Sequence, residues 1–203
     1  MTRFTLFSII SLMLFLSVEA SGLTGIGIGA RAGVVSNYDN PELSFEQAEN
    51  IDIDKLTMVG GHVRFKRFPI FTLEVVAEYS WRNRDFGVLG ETISGKVKDF
   101  MVAANLKYLV KIPILTPYFG GGLATHQMTY EFNPPLTSVL DGNKIIIPDD
   151  GPKFGMHALA GVAFCLPASP LEFFIEARIG KISGDDDSTD YSSIYGGVTL
   201  KLL

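Results

Sequence analysis

Clustered carboxylates are the residues of this sequence whose type and spacing most directly suggest chemistry. Two groups lie in segments rich in turn-forming residues: Asp39, Glu42, Glu46, Glu49, Asp52 and Asp54, and then Asp185, Asp186, Asp187 and Asp190. Carboxylate oxygens bind calcium, and Asp185, Asp187 and Thr189 have the first three spacings of an EF-hand loop. Asp190, however, occupies the position that needs Gly, and Gly196 the position that needs a bidentate Glu. We therefore predict solvated acidic loops and no cofactor, with a weak calcium site of millimolar affinity or lower as the alternative.

Other charged residues alternate with apolar ones, and this alternation predicts the fold. In segments 71–82 and 171–180 every second residue is apolar, and most of the intervening residues are polar or charged. A period of two places the two sets on opposite faces of a β-strand. The apolar set comprises Phe71, Leu73, Val75, Ala77, Tyr79 and Trp81 in the first segment and Leu171, Phe173, Ile175, Ala177 and Ile179 in the second.

The amino-terminal residues have the three parts of a secretory signal peptide. Arg3 supplies the positive charge, 6–18 is apolar, and Val18-Glu19-Ala20 is a small-residue cleavage site. We predict that residues 1–20 are cleaved and that 21–203 form one domain, because this length suits a single closed core. The apolar run is shorter than the roughly 20 residues that a membrane-spanning helix needs.

Charge and cysteine content limit the possible partners and cross-links. The net charge of −5 gives no reason to expect a nucleic-acid partner. Cys165 is the single cysteine of the sequence, so an intramolecular disulfide is impossible, and we interpret it as a small packed residue.

Alternation, together with the Gly, Pro, Asn and Asp residues between segments, predicts eight β-strands. We place them at about 22–35, 56–67, 71–82, 94–110, 117–130, 153–166, 170–182 and 192–202. The connections alternate in length: 36–55, 83–93 and 131–152 are long, 68–70, 111–116 and 167–169 are short, and 183–191 is intermediate. Prolines avoid the middle of every predicted strand, where they would remove a ladder hydrogen bond.

An even number of strands, with short turns at one end and long loops at the other, is typical of outer-membrane barrels. We predict an all-β fold, an eight-stranded antiparallel up-and-down transmembrane β-barrel with both termini in the periplasm. The apolar face of 71–81 extends about 33 Å, or about 23 Å along the membrane normal at a 45° tilt, near the height of the apolar band. Aromatic residues mark both of its ends, as interfacial girdles require. The alternative is a soluble lipocalin-like barrel with the two faces reversed.

The charged face then points into the barrel, and the apolar set faces the membrane. An eight-stranded interior has room only for side chains, and isolated buried charges are costly. We therefore predict an internal network of salt bridges, with an ion-conducting path as the alternative. Its predicted members are Arg31, His62, Arg64, Lys66, Glu74, Glu78, Arg82, Asn105, Lys107, Glu172, Glu176 and Arg178.

With these features the chain resembles the small eight-stranded outer-membrane barrels of Gram-negative bacteria. This group contains the OmpA transmembrane domain, OmpX and the Ail or opacity-type adhesins. The resemblance extends over about 22–203, and 195–203 is similar to the last strand of the family. Family members usually end in Phe, whereas this chain ends in Leu203. Counting back from that end in steps of two selects Lys201 and Thr199 as outward residues, and the more apolar register is one residue out of step.

Some small barrels of this type resemble enzymes that act on lipid A, so the resemblance also raises the possibility of catalytic residues. The deacylase type carries a His-x-Ser pair that faces the lipid, because a serine needs an adjacent base to become nucleophilic. Two residues after His62, His126 and His157 this chain has Arg, Met and Leu. The palmitoyl-transferring type uses His, Asp and Ser near the outer surface, for which His126 is the nearest candidate, and omptin-type proteases need ten strands. We predict no catalytic residues and no enzyme activity.

We therefore predict a monomeric, non-enzymatic scaffold or adhesin-like protein in the bacterial outer membrane, reached by signal-directed export. Its expected partners are the lipids and lipopolysaccharide of that membrane and an extracellular ligand held by the long loops. The third loop offers apolar residues in 136–147, or it extends the strands as a hairpin with Asp141-Gly142-Asn143 as its turn. A lipid A-modifying enzyme and a secreted lipocalin-like carrier are the alternative functions.

Overall fold

The chain forms a closed barrel of eight antiparallel strands. The computed structural model describes residues 25–39, 55–66, 71–88, 91–110, 112, 114–133, 151–165, 169–183 and 188–202. The strands are β1 (Ile26–Asp39), β2 (Lys55–Phe65), β3 (Phe71–Val88), β4 (Glu91–Leu109), β5 (Leu115–Asn133), β6 (Pro152–Cys165), β7 (Leu171–Ser183) and β8 (Ser188–Leu202). Each strand pairs with the next one, and β1 pairs with β8 to close the sheet. The predicted eight-stranded up-and-down barrel is confirmed.

The described residues contain no helix that is long and apolar enough to span a membrane. The predicted signal peptide lies outside the described residues, and its removal stays a prediction.

The predicted second loop is wrong, because most of 83–93 is strand. β3 continues to Val88 and β4 begins at Glu91, which are paired in the register. Ser94 Oγ donates a hydrogen bond across this ladder to Asp85 Oδ1 at 2.5 Å. Apolar residues alternate in this segment only at Phe86 and Val88, which is too short a run to predict a strand. Backbone hydrogen bonds between the two strands continue the ladder regardless of side-chain polarity.

The two ends of the barrel differ in the length of their connections. At one end, which we call the short-turn end, β2 and β3, β4 and β5, and β6 and β7 are separated by five residues each. At the other, the long-connection end, β1 and β2 are separated by 40–54 and β5 and β6 by 134–151. Two connections there are shorter than predicted, since 89–90 joins β3 to β4 and 184–187 joins β7 to β8.

Apolar side chains cover the outside of the barrel, and the inside holds charged and polar side chains together with buried apolar ones such as Met58. On β7 the odd-numbered residues are outward, with Ile175 63% and Ile179 66% exposed, whereas Glu176 is 0% exposed. Of the apolar set predicted from the sequence, Phe71, Leu73, Ala77, Tyr79, Phe173, Ile175, Ala177 and Ile179 are exposed, and Val75, Trp81 and Leu171 are half-buried on the same outward face. A soluble ligand-binding barrel has the opposite arrangement, with apolar side chains inside.

Aromatic side chains lie at two levels of this apolar exterior. Near the short-turn end, Tyr108 contacts Phe71 and Phe119, with ring centroids 5.6 and 5.2 Å apart. Nearer the long-connection end, the rings of Tyr79 and Trp81 stack at 5.6 Å. Two such levels with an aliphatic zone between them are the pattern of a barrel that spans a bilayer.

Candidate functional site: the charged barrel interior

Glu74 is the centre of the barrel interior. Its carboxylate contacts Arg31 Nη2 at 2.7 Å, Arg64 Nε at 2.5 Å and Lys107 Nζ at 2.8 Å, and the residue is 0% exposed. Asn105 Nδ2 donates a further hydrogen bond to it at 3.3 Å. These donors come from β1, β2 and β4, so one carboxylate on β3 joins strands that are neighbours around the wall.

Glu78 and Glu176 extend the network across the interior. Arg178 donates to both oxygens of Glu78, from Nη1 at 2.8 Å and from Nη2 at 3.0 Å, which is the bidentate geometry that favours arginine. Arg31 Nη1 reaches Glu78 from the other side at 3.3 Å. Glu176 accepts hydrogen bonds from Lys107 Nζ at 2.5 Å, from Tyr118 Oη at 2.8 Å and from Tyr195 Oη.

Glu172 ends the network at the short-turn end. It contacts Arg64 Nη1 at 2.6 Å, Lys66 Nζ at 2.8 Å and Lys201 Nζ at 3.4 Å. Cys165 Sγ donates to the same carboxylate at 3.3 Å, so the cysteine takes part in polar contacts as well as packing. A cavity of about 10 Å³ beside these groups is close to the size that one water molecule needs.

The buried charges of this network balance. Four carboxylates, those of Glu74, Glu78, Glu172 and Glu176, face four buried cationic side chains, those of Arg31, Arg64, Lys107 and Arg178. Lys66 and Lys201 add positive charge at the short-turn end, where their side chains are 27% and 32% exposed and therefore solvated. Each buried charge has a partner of opposite sign, which offsets the desolvation cost that an isolated charge would carry.

Phe174 packs among the cationic groups. The guanidinium carbon of Arg64 lies 4.5 Å from its ring centroid and that of Arg31 lies 5.4 Å from it, both within cation–π range. The ring of His62 meets it edge-on at 5.4 Å. Sequence reasoning did not include Phe174 in the interior set, although it shares the inward alternation of Glu172 and Glu176.

The interior set predicted from the sequence omitted several other members. Tyr118, Tyr195, Thr199 and Lys201 all contact network residues, and all lie at inward positions of β5 or β8. The signal that would have found them is the phase of the alternation in each strand, which selects uncharged side chains as well as charged ones.

Arg82 does not join the network. It is half-buried near the long-connection end, and its Nη1 donates to the backbone carbonyl of Lys55 at 3.2 Å. Inward apolar side chains are numerous at this end of the interior: Val35, Leu56, Met58, Val97, Met128 and Ile182, all buried. Buried Ser80 and Asp99 are the register partners of Met58 and Met128, so apolar and polar side chains are mixed at this level.

No protein-family model matches the sequence, and no curated protein sequence matches it significantly. Neisserial surface protein A is similar in structure, with 14% sequence identity, a TM-score of 0.54, and coverage of 91% of this chain and 100% of that one. The chain has the fold of the small eight-stranded outer-membrane barrels. The outer membrane protein OprG of Pseudomonas aeruginosa matches this outer-membrane-type barrel with 14% identity, a TM-score of 0.53, and coverage of 88% and 97% of the two chains.

The three histidines of this outer-membrane-type barrel face its interior. His62 Nε2 lies 2.8 Å from Thr199 Oγ1, and His157 Nε2 lies 2.7 Å from Asn105 Oδ1. His126, the nearest catalytic candidate of the sequence, has Nδ1 2.8 Å from Asp99 Oδ2.

His126 and Asp99 have the spacing of a base and its orienting carboxylate, but a nucleophile is also needed. Within the described residues, His126 Nε2 has no hydrogen-bond partner. Its imidazole is 2% exposed and packs against Tyr191, with ring centroids 5.7 Å apart. The described contacts of His126 and Asp99 are therefore those of packed side chains on the inner face of the barrel.

Metal binding finds no support among the described residues, which contain no group of three or more His, Cys, Asp or Glu side chains able to hold an ion. Most of the acidic clusters lie outside the described residues, as do 136–147 and the turn 141–143. Asp190 is described, and its Oδ1 lies 3.8 Å from Lys181 Nζ on the exposed surface. The calcium alternative and the third-loop hairpin stay predictions.

Proposed function

We propose that this protein is a monomeric, non-enzymatic scaffold of the bacterial outer membrane that presents its long connections outside the cell. The observation that carries the proposal is the barrel interior. Buried side chains of balanced charge form ion pairs there that join opposite walls, such as β3 with β7 and β4 with β7. An interior of this kind stabilises a closed barrel and leaves the exposed connections to interact with other molecules.

The filled interior favours a scaffold over an ion-conducting path. Glu74 alone holds three basic side chains, and an ion crossing this level would have to displace contacts of 2.5 to 2.8 Å. Buried apolar side chains such as Met58 and Met128 occupy the interior further toward the long-connection end and leave less room for a hydrated ion.

The exterior supports membrane residence. Exposed aliphatic side chains such as Ile175 and Leu123, between two aromatic levels, match the hydrocarbon zone of a bilayer. In the proposed orientation the short-turn end and both termini lie in the periplasm, and membrane lipids and lipopolysaccharide cover the apolar surface.

The connections 40–54 and 134–151 are the proposed contact surface for an extracellular ligand. They are the longest at their end of the barrel, and loops on a rigid scaffold commonly carry binding. We expect shortening of either segment to leave the barrel folded and to reduce adhesion of cells that display the protein. Adhesion equal to that of the full-length protein after both segments are shortened would contradict an adhesin-like role.

Two measurements test the scaffold itself. The protein extracted from the outer-membrane fraction should migrate differently in SDS gels with and without boiling, because a closed barrel resists SDS until it is heated. In planar bilayers the same material should show no large, stable single-channel conductance. Large conductance would overturn the filled interior, and a protein recovered without detergent from the periplasm would overturn membrane residence.

A further inference from the structure

Three lysines lie together on the outer face of the barrel near the long-connection end, and we call them the basic patch: Lys55, Lys96 and Lys98. Lys96 and Lys98 lie on the outward face of β4, because Val97 between them is buried. Lys55 lies two residues before Thr57 on β2, and Thr57 is the register partner of Trp81 on β3. The patch therefore extends across three adjacent strands.

Polar groups surround the basic patch, and the net charge there is positive. Asn83 is the register partner of Lys96 on β3, and Glu131 is its partner on β5. Glu131 forms an ion pair with Lys98. Asp85 also faces outward on β3, two residues beyond Asn83, and accepts a hydrogen bond from Ser94 Oγ. Three ammonium groups thus face two carboxylates at this level, and one positive charge is in excess.

An apolar groove of about 690 Å³ lies on the same side of the barrel, nearer its middle. Small residues make its floor, notably Ala30, Gly61 and Ala77, and aliphatic residues such as Val63 and Val102 line its sides. Gly61 deepens this depression, because it has no side chain and its register partners on the neighbouring strands are only Ala30 and Ala77.

The groove and the basic patch are continuous. On β3 and β4 the register pairs are Ala77 with Val102, then Tyr79 with Phe100, then Trp81 with Lys98. A molecule lying along these strands passes from the groove, over the stacked Tyr79 and Trp81 rings, to the lysines. Along this path the surface is first apolar, then aromatic and finally cationic. A lipid has its parts in the matching order, with acyl chains first, then the interfacial region and then an anionic headgroup.

We propose that this face binds one lipid A molecule, with an acyl chain in the groove and a phosphate at the basic patch, because in the proposed orientation the patch lies at the outer leaflet. The proposal rests on the proposed residence in the outer membrane and names a lipid that occupies a fixed place on the barrel. Lysine ammonium groups donate charge-assisted hydrogen bonds to phosphate oxygens, and aromatic rings flank headgroups at the interface.

The opposite side of the barrel supplies a matched control. Lys181 is an outward lysine on β7, is 56% exposed and has Asp190 as its neighbour at 3.8 Å. The structure places no second outward lysine beside it among the described residues of β6, β7 and β8. Replacement of Lys181 therefore removes the same charge without touching the patch.

The first test measures adducts of the full chain with lipid A by native mass spectrometry from detergent micelles. The probes are lipid A with its phosphates and enzymatically dephosphorylated lipid A. We expect Lys55→Gln, Lys96→Gln and Lys98→Gln each to weaken binding of the phosphorylated lipid about fivefold, from roughly 1 kcal/mol per lysine near a charged membrane surface. Lys181→Gln should leave binding unchanged, and dephosphorylated lipid should bind the native chain more weakly.

The second test fills the groove. A Cβ at Gly61 would have its nearest neighbour, the Gly29 carbonyl oxygen, at 3.6 Å, which is an ordinary contact, so Gly61→Leu adds a side chain on the groove face with no clash at the Cβ. We expect it to weaken binding of both lipid forms at least about threefold, which corresponds to roughly one methylene no longer buried. Gly196→Leu is the control, because Gly196 is an outward glycine outside the groove whose Cβ would lie 3.4 Å from the Phe174 carbonyl oxygen.

Each variant is first checked for the boiling-dependent shift in SDS gels, so that loss of binding is measured on folded barrels. Equal binding by native chain and the triple lysine variant overturns the proposal, as does equal binding of both lipid forms. A loss on Lys181→Gln as large as on Lys96→Gln also overturns it, because the effect would then be net charge alone. If the native chain shows the boiling-dependent shift but gives one of these binding results, only the lipid-binding proposal fails and the proposed scaffold function stands. If the native chain never shows the shift, both proposals fail.

Discussion

The inner and outer faces of the same strands are held by different forces. On β3, Glu74 is fully buried and meets Arg31, Arg64 and Lys107 at fixed distances, whereas its neighbour Leu73 is 41% exposed on the outer face. The outer face needs apolar side chains to contact lipid, and the exact shape of each side chain matters little there. The inner face depends on the identity of each residue, because every buried charge there needs its own partner.

The largest expected effect comes from removing the shared carboxylate. Glu74→Gln leaves Arg31, Arg64 and Lys107 with one buried negative charge fewer, and we expect the free energy of unfolding to fall by about 3–5 kcal/mol. Urea unfolding of barrels folded into lipid vesicles measures this. Leu73→Met on the outer face is the control and should cost less than about 1.5 kcal/mol. Equal losses would show that the two faces do not differ.

A charge placed on the outer face tests the comparison from the other side. Ile175 is 63% exposed in the middle of the apolar zone, and we expect Ile175→Arg to lower the free energy of unfolding by about 2–4 kcal/mol. Ser183, on the same face of β7 at the long-connection end, should tolerate Ser183→Arg with a loss of about 0–1 kcal/mol. The same vesicle assay reports both, and a uniform cost at the two depths would argue against a bilayer around the barrel.

Added volume should separate the two faces next. A Cβ at inward Gly122 would lie 2.1 Å from Asn105 Oδ1 and 2.6 Å from His157 Nε2, so we expect Gly122→Ala to cost about 1–3 kcal/mol. At outward Gly61 the nearest atom would be 3.6 Å away, and Gly61→Ala should be nearly neutral. Thermal loss of the boiling-dependent gel shift ranks the two variants, and a larger effect at Gly61 would contradict close packing of the interior.

The smallest effect is expected at the solvated edge of the network. Lys201 Nζ lies 3.4 Å from Glu172, and its side chain is 32% exposed, so Lys201→Met should change the free energy of unfolding by less than about 1 kcal/mol. Urea unfolding measures this against the native chain. A loss above about 2 kcal/mol would mean that the network is not solvated at the short-turn end.

Alternation in the sequence was enough to predict the barrel, because a period of two separates the faces of every strand. It could not predict the partners inside. Arg64 and Glu172 are 108 residues apart, and their contact depends on strand registers around the closed barrel that no local pattern specifies. Phe174 was missed for a related reason, since its role among cations comes from β1, β2 and β4 converging on it.

Strand ends were less predictable than strand centres. Alternation fades beyond Trp81 because neither face there needs to be apolar, yet the β3 and β4 ladder continues to the pair Val88 and Glu91. The last strand shows the reverse case. Counting from Leu203 predicts that Lys201 faces outward. In the structure Ile194 and Leu200 are exposed on the outer face, and Lys201 contacts Glu172 inside. The strand therefore takes the register that places its apolar residues on the outer, apolar face of the barrel.

The paired extension of β3 and β4 projects from the long-connection end of the barrel, which is the end proposed to face outside the cell. From Trp81 to Val88 the strand advances about 23 Å at roughly 3.3 Å per residue. β5 pairs with β4 as far as Ser94 and Asn133, so this ribbon is three-stranded at its base and two-stranded toward its tip. Such a ribbon resists bending better than a single loop of the same sequence. In the proposed orientation it holds its tip away from the membrane, on the side where antibodies and other bulky macromolecules would meet it.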